Sequence, residues 1–208
     1  MRKITKKVGF EPQILTRWKR SNTQGNYDKL TSSERQDIRT ACAIEQFYLC
    51  AYCCKRISGN GKDTMNEHVI AKNIAPNKSL DYANIVASCR TPKQCDDAHG
   101  SQPLPITPFD IECETDLTFK LSGRVEGKTA DAKETIRVLN LGNNNKSLVE
   151  QRRQFVQALL LGDGIDPDDV IDDSDLIQMV IDDLSKPKNG KLEAFAPIAI
   201  NVLSQWVA

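Results

Sequence analysis

The sequence predicts an α+β protein: a small unit tied together by cysteines, surrounded mostly by α-helices. Three observations predict it. Two cysteine pairs, Cys50/Cys53 and Cys89/Cys95, bracket a span that holds a glycine turn and a strand-like run. Apolar residues recur at helical spacing in stretches 31–49, 146–161, 174–185 and 192–207. Short strand-like runs sit near Leu117 and Val125. The expected division is a basic N-terminal arm and helix over 1–49, a cysteine-tied module over 50–110, and short strands with a helical C-terminal region over 111–208.

Length and charge bound the function. The 208 residues carry 28 Lys+Arg and 28 Asp+Glu, a net charge of zero, so strong unaided grip on a polyanion is not expected. No apolar run reaches the ~18 residues of a membrane span. The basic N-terminus is not followed by an apolar stretch, so no signal peptide is expected. Seven cysteines are an odd number. In a reducing cytoplasm, the expected location, zinc accounts for four, and Cys42, Cys54 and Cys113 remain as thiols.

The first 30 residues are polar and basic. Lys3, Lys6, Lys7, Arg17, Lys19 and Arg20 are candidates to face phosphates, against the plainer alternative of a solvated arm. Trp18 is expected to anchor on the core. Thr31-Ser32-Ser33-Glu34 is a capping box and opens a helix to about Leu49.

That helix delivers the chain to the first cysteine pair. Cys50 and Cys53 have the spacing that brings two thiolates to one Zn²⁺, and Cys89 with Cys95 supplies two more. Four thiolates make a closed, structural site. Cys54 is the alternative to Cys53 as ligand. The 35 residues between Cys53 and Cys89 exceed what a compact zinc ribbon uses, so the span holds something else. Within it, Ser58-Gly59-Asn60-Gly61 signals a turn. Lys62 to Ile70 reads as a strand ending at Glu67-His68-Val69-Ile70. Neighbouring strand residues point to opposite faces, so Glu67 and His68 serve one centre only if the strand ends or bulges there. A loop over 71–79 follows, then Asn84. Pro92 to His99 reads as a short helix stopped by Gly100, with Asp96 and His99 on one face.

These residues resemble the HNH (ββα-metal) endonucleases, and more closely the PtuB family of HNH subunits in Septu antiphage defence systems and the related retron-associated HNH proteins. The resemblance is carried by Cys50-Ala51-Tyr52-Cys53, Glu67-His68, Asn84, Cys89 and Cys95-Asp96-Asp97-Ala98-His99-Gly100. It extends to Pro12, Leu15, Tyr27, Gln46 to Tyr52, Thr135-Ile136 to Leu141, and Arg152. It implies a ββα-metal module on a four-cysteine zinc site. It implies His68 as general base, Glu67 and Asp96 as ligands of a catalytic Mg²⁺ or Mn²⁺, and Asn84 as the residue that orients the His68 loop. His99 stands where the family usually has Lys, which leaves it as a ligand or a phosphate contact. The residue types suit phosphodiester hydrolysis, since an imidazole takes a proton near neutral pH and hard carboxylates suit Mg²⁺. The resemblance further implies a DNA substrate from an invading phage and a PtuA-like ATPase partner. The chain has no GxxxxGK[ST] motif of its own. The rivals are a non-catalytic zinc-stabilised nucleic-acid-binding module, a structural adaptor of the ATPase, and an RNase.

Beyond Gly100, three prolines make an extended connector to two expected strands, Ile111–Cys113 and Leu117–Leu121, with a third near Val125. Helices are expected over 129–141, 146–161, 174–185 and 192–207. Arg152 and Arg153 are expected as surface charges or a structural ion pair, with a phosphate contact as the alternative. The segment Asp163 to Asp183 holds nine aspartates and no Lys or Arg, which would repel DNA.

Overall fold

A computed structural model describes residues 1–163 and 174–207. The helices are α1 (Gln13–Ser21), α2 (Ser32–Glu45), α3 (Asp96–His99), α4 (Glu112–Thr115), α5 (Ala130–Val138), α6 (Lys146–Gly162), α7 (Ser174–Leu184) and α8 (Ala196–Leu203). The strands are β1 (Thr64–His68), β2 (Ile85–Cys89), β3 (Leu117–Phe119) and β4 (Val125–Gly127), paired β1–β2 and β3–β4, both antiparallel. The class is α+β, as expected.

Helix α2 starts where the capping box places it. The Thr31 hydroxyl accepts from the Glu34 amide and the Glu34 carboxylate accepts from the Thr31 amide. The helix buries Ile38, Cys42 and Ala43, then ends at Glu45, short of the expected Leu49. Phe47 and Tyr48 both take positive φ, which breaks the helix and turns the chain toward the cysteines. The buried Gln46 side chain fixes that turn on β2. Its Nε2 donates to the Leu49 and Ala87 carbonyls at 2.8 Å, and its Oε1 accepts from the Ala87 amide at 2.7 Å.

Strand β1 is shorter than the expected 62–70. Asp63 belongs to the preceding turn, where its carboxylate accepts from the Ser58 amide and hydroxyl. The register runs from Thr64 opposite Cys89 to His68 opposite Ile85. Strand β2 is an element that sequence patterning does not mark. Its five residues are all buried, so it lacks the alternation of a half-exposed strand. The helix expected over 92–99 is only the single turn α3, because Lys93 and Cys95 both adopt positive φ.

Three further expectations need correction. Ile111–Cys113 is not a strand: Asp110 accepts from the Thr107 amide and hydroxyl, and the chain enters α4 instead. Arg152 is fully buried, not a surface charge; it lies 5.0 Å from the Phe119 ring centroid and donates to the Leu141 carbonyl. The last helix begins at Ala196 rather than 192, after Phe195 takes φ 60°. Helix α1 is an addition within the expected N-terminal arm. The strand pair near Leu117 and Val125 is present, closed by Gly123 at φ +77°, where a Cβ would lie 2.0 Å from the Val149 carbonyl oxygen. Trp18 packs on the core, and Arg153 pairs with Glu150. Much of the acidic 163–183 segment, residues 164–173, lies outside the described residues.

One hydrophobic core crosses all three expected segments. It joins Leu15 and Ile38, Tyr52 and Val86, and Leu117, Val156, Ile177 and Ile198. Backbone bonds tie the far end to the cysteine turn: the Leu192 amide donates to Phe47 and the Phe195 amide to Cys54.

Candidate metal centre and acid-base cleft

The β1–β2 pair and α3 bring the cysteines together. Cys50 and Cys53 sit on the turn after α2, Cys89 ends β2, and Cys95 precedes α3. All four are buried, and their sulfurs lie within 4.8 Å of one another. The Cys50–Cys95 and Cys53–Cys89 sulfur pairs are 3.8 Å apart. A tetrahedron with Zn–S bonds of about 2.3 Å has edges of about 3.8 Å, so the thiols are set for a metal such as zinc. The Cys89 amide donates to the Cys50 sulfur, a bond that favours a thiolate. Hydrogen bonds from the neighbouring cysteines hold the Cys89 thiol far below its ordinary pKa, while burial pushes Cys95 well above. A proton-sharing cluster of this kind is what a divalent cation replaces. Cys54, at φ 61°, is not among the four sulfurs brought together, and Cys53 is. Cys42, Cys54 and Cys113 are buried free thiols.

Beside the cysteine group lies an open cleft of about 700 Å³. Glu67, His68 and Asp96 all line it. The strand ends at His68, which is how two neighbouring residues come to share one cleft. His68 Nε2 is 2.9 Å from the Ser79 carbonyl, an acceptor, so Nε2 carries the proton and Nδ1 keeps its lone pair. Burial lowers the His68 pKa, which favours the neutral ring at neutral pH.

Asn84 staples the loop that follows His68. Its Oδ1 accepts from the Ile70 amide at 2.8 Å, and its Nδ2 donates to the Ile70 carbonyl at 2.9 Å and to Lys78. The Asn84 carbonyl also accepts from the Val69 amide. Both ends of the 70–79 loop are thereby tied to one side chain.

Glu67 and Asp96 form a carboxylate pair. Burial and the adjacent Glu67 carboxylate push Asp96 up to about 8, and burial raises Glu67 as well. Two carboxyl groups this close share a proton or take a cation. The Tyr52 hydroxyl donates to Glu67 Oε1 at 3.2 Å, and His99 Nδ1 lies 2.5 Å from the same oxygen. His99 is buried and does not line the cleft. Its imidazole therefore touches Glu67 and has no access to a phosphate in the cleft. Among the described residues, the four cysteines are the one group of three or more such ligands close enough to hold an ion. The cleft offers two carboxylates, Glu67 and Asp96.

Tyr27 has no role legible in the sequence. Its ring meets the His68 ring edge-on at 4.7 Å, and its hydroxyl accepts from Asn66 Nδ2 at 2.8 Å. Tyr52 and Gln46, which the resemblance includes without a role, likewise gain theirs through contacts distant in sequence. A scan of protein-family models finds none that matches the chain, and a search of curated proteins finds no match.

Proposed function

We propose that the chain is a metal-dependent HNH endonuclease that cleaves invading phage DNA, as the effector subunit of an antiphage defence complex with a PtuA-like ATPase. The observation that carries this is the meeting of His68, Glu67 and Asp96 in one cleft, with His68 Nε2 2.9 Å from the Ser79 carbonyl, which assigns the free lone pair to Nδ1. His68 Nδ1 takes the proton of an attacking water. Asn84 holds the loop on which the Ser79 carbonyl sits, and so keeps the His68 ring in that tautomer. Glu67 and Asp96 would hold Mg²⁺ or Mn²⁺, which when bound stabilises charge on the phosphoryl oxygens and the departing 3′ oxygen. Tyr52 and His99 orient Glu67 from behind. Cys50, Cys53, Cys89 and Cys95 would hold structural Zn²⁺, which fixes the ends of the β1–β2 unit.

The test is cleavage of duplex DNA by the purified chain, with and without the ATPase, across a Mg²⁺ and Mn²⁺ titration. His68→Ala is expected to keep its zinc and its fold and to lose on the order of 10²–10⁴ in rate. Cleavage by His68→Ala at the wild-type rate would remove this histidine from the mechanism. RNA offered in parallel separates a DNase from an RNase.

A further inference from the structure

Helix α2 also lines the cleft, with positive charge that nothing in the proposed mechanism uses. Arg35 and Arg39 are one helical turn apart, both half-buried and both lining the cleft with Glu67, His68 and Asp96. Lys72 lines it too, but is paired with Asp28 at 2.5 Å. Among the described residues, neither arginine has a carboxylate partner. Arg35 Nη2 donates to the carbonyls of Asp28 and Tyr27, and Arg39 Nη1 to the Gln36 amide oxygen. The Nε of each has no acceptor, and the nearby Asn66 Oδ1 has no donor. Arg90, donating to the Gly61 carbonyl, adds a third like charge that acts on Arg39. Asp28, already paired with Lys72, is the carboxylate whose charge reaches Arg35, so the guanidinium groups outnumber the anions beside them and an added anion would be favoured.

The wall is also tied to the candidate base. Arg35 and Lys72 each lie 5.2 Å from the Tyr27 ring centroid, and the Tyr27 ring packs edge-on against His68. An anion drawn to Arg35 is thus placed by the same ring that steadies His68. The floor alone is acidic and would repel a phosphate; the α2 wall reverses that.

Resting on the nuclease proposal above, we propose that Arg35 and Arg39 grip the phosphodiester backbone of DNA and set the scissile phosphate across the Glu67–His68–Asp96 floor. They are positioning residues. Planar guanidinium groups match phosphate oxygens two at a time, which lysine does not. Two contacts at one strand also fit a chain of zero net charge: the grip is local and modest, not a basic face.

The experiment is binding of a short fluorescein-labelled DNA duplex to the full-length chain, without added Mg²⁺ or Mn²⁺, over a salt series. Zinc content and melting temperature accompany every variant. Arg39→Gln is the primary variant, since Arg35 also braces the Tyr27 turn. It is expected to bind on the order of tenfold more weakly, with the salt slope lowered by about 1. Arg39→Lys should keep most of the slope. Arg124→Gln, an exposed charge on the turn between β3 and β4, should match wild type. In cleavage assays Arg39→Gln should raise KM with kcat little changed. Equal affinity and equal slope for folded Arg39→Gln and wild type overturn the grip, as does absence of DNA binding by the wild type. Arg39-dependent binding of RNA alone overturns the assignment to DNA. Arg39-dependent DNA binding without any metal-dependent cleavage leaves the grip standing and removes the nuclease proposal. Cleavage with KM unmoved by Arg39→Gln does the reverse.

Discussion

His99 is where the chemistry of single residues is most sharply divided. A buried imidazole 2.5 Å from Glu67 acts through that carboxylate. His99→Gln keeps a donor near Glu67, whereas His99→Ala removes it and leaves a cavity. We expect His99→Ala to raise the divalent-ion concentration needed for cleavage and His99→Gln to recover much of that loss, as read from a metal titration. Glu67→Gln and Asp96→Asn should show the same demand more strongly, because each removes a hard anionic ligand. Asn84→Ala should fall between, since it frees the loop on which Ser79 sits without touching a ligand. Tyr52→Phe removes one donor to Glu67 and should cost less than His99→Ala. An unchanged metal requirement across all six variants would disconnect this pair of carboxylates from any ion.

At the scale of elements, the cysteine turn, β2 and the start of α3 meet at the four sulfurs. The native protein is expected to contain about one zinc per chain, measured by metal analysis of protein purified without added metal. Cys50→Ser should lose the metal and aggregate or express poorly, because binding energy at a closed site is folding energy. Cys113→Ser should be mild in comparison: Cys113 is a buried thiol outside the cluster. Gln46 extends the unit to β2 through three bonds to backbone atoms. Gln46→Leu should therefore cost about 1–3 kcal/mol for each buried group it strands, seen as a lowered midpoint in denaturant. Arg152 holds a buried charge with no carboxylate partner among the described residues; burial pulls its pKa below the ordinary guanidinium value, against a smaller opposing influence of the nearby Cys53, Cys54 and Cys95 sulfurs. Arg152→Met should lower melting temperature and zinc retention, while Arg153→Met, at an exposed pair with Glu150, should change neither.

For the whole molecule, the three expected segments share one core, so the division at residues 50 and 111 does not mark separable units in packing. Residues of α6, α7 and α8 contribute Val156, Ile177 and Ile198 to that core. The Leu192 and Phe195 amides reach back to the cysteine turn, and the Arg56 guanidinium donates to the Leu192 carbonyl. A chain truncated after Asn145 is expected to be insoluble, measured by soluble yield and melting. Docking on an ATPase is better tested by single changes on the exposed face of α7, such as Met179→Arg, which keeps the core intact. Loss of co-purification in Met179→Arg would place the interface there, and full retention would place it elsewhere. No described helix is long and apolar enough to cross a membrane.

What depends on neighbours along the chain was legible without the fold. The Thr31–Glu34 cap, the start of α6 at residue 146, the apolar stripe of α7 and the cysteine spacing are local signals, and each falls where the sequence puts it. Residue types also marked His68, Glu67, Asp96 and Asn84 as worth bringing together. Contacts distant in sequence settled the rest, and these exist only in the folded chain. They made β2 a strand by pairing a fully buried run with β1. They ended α2 early to deliver Cys50, and left Cys54 out of the cluster. They buried His99 against Glu67, drew Arg152 into the core, and brought Arg35 and Arg39 to one cleft with residues of β1 and α3. Local propensity fixes a few dihedral angles at a time. Burial, tautomer and charge partners are set by what the rest of the chain packs against.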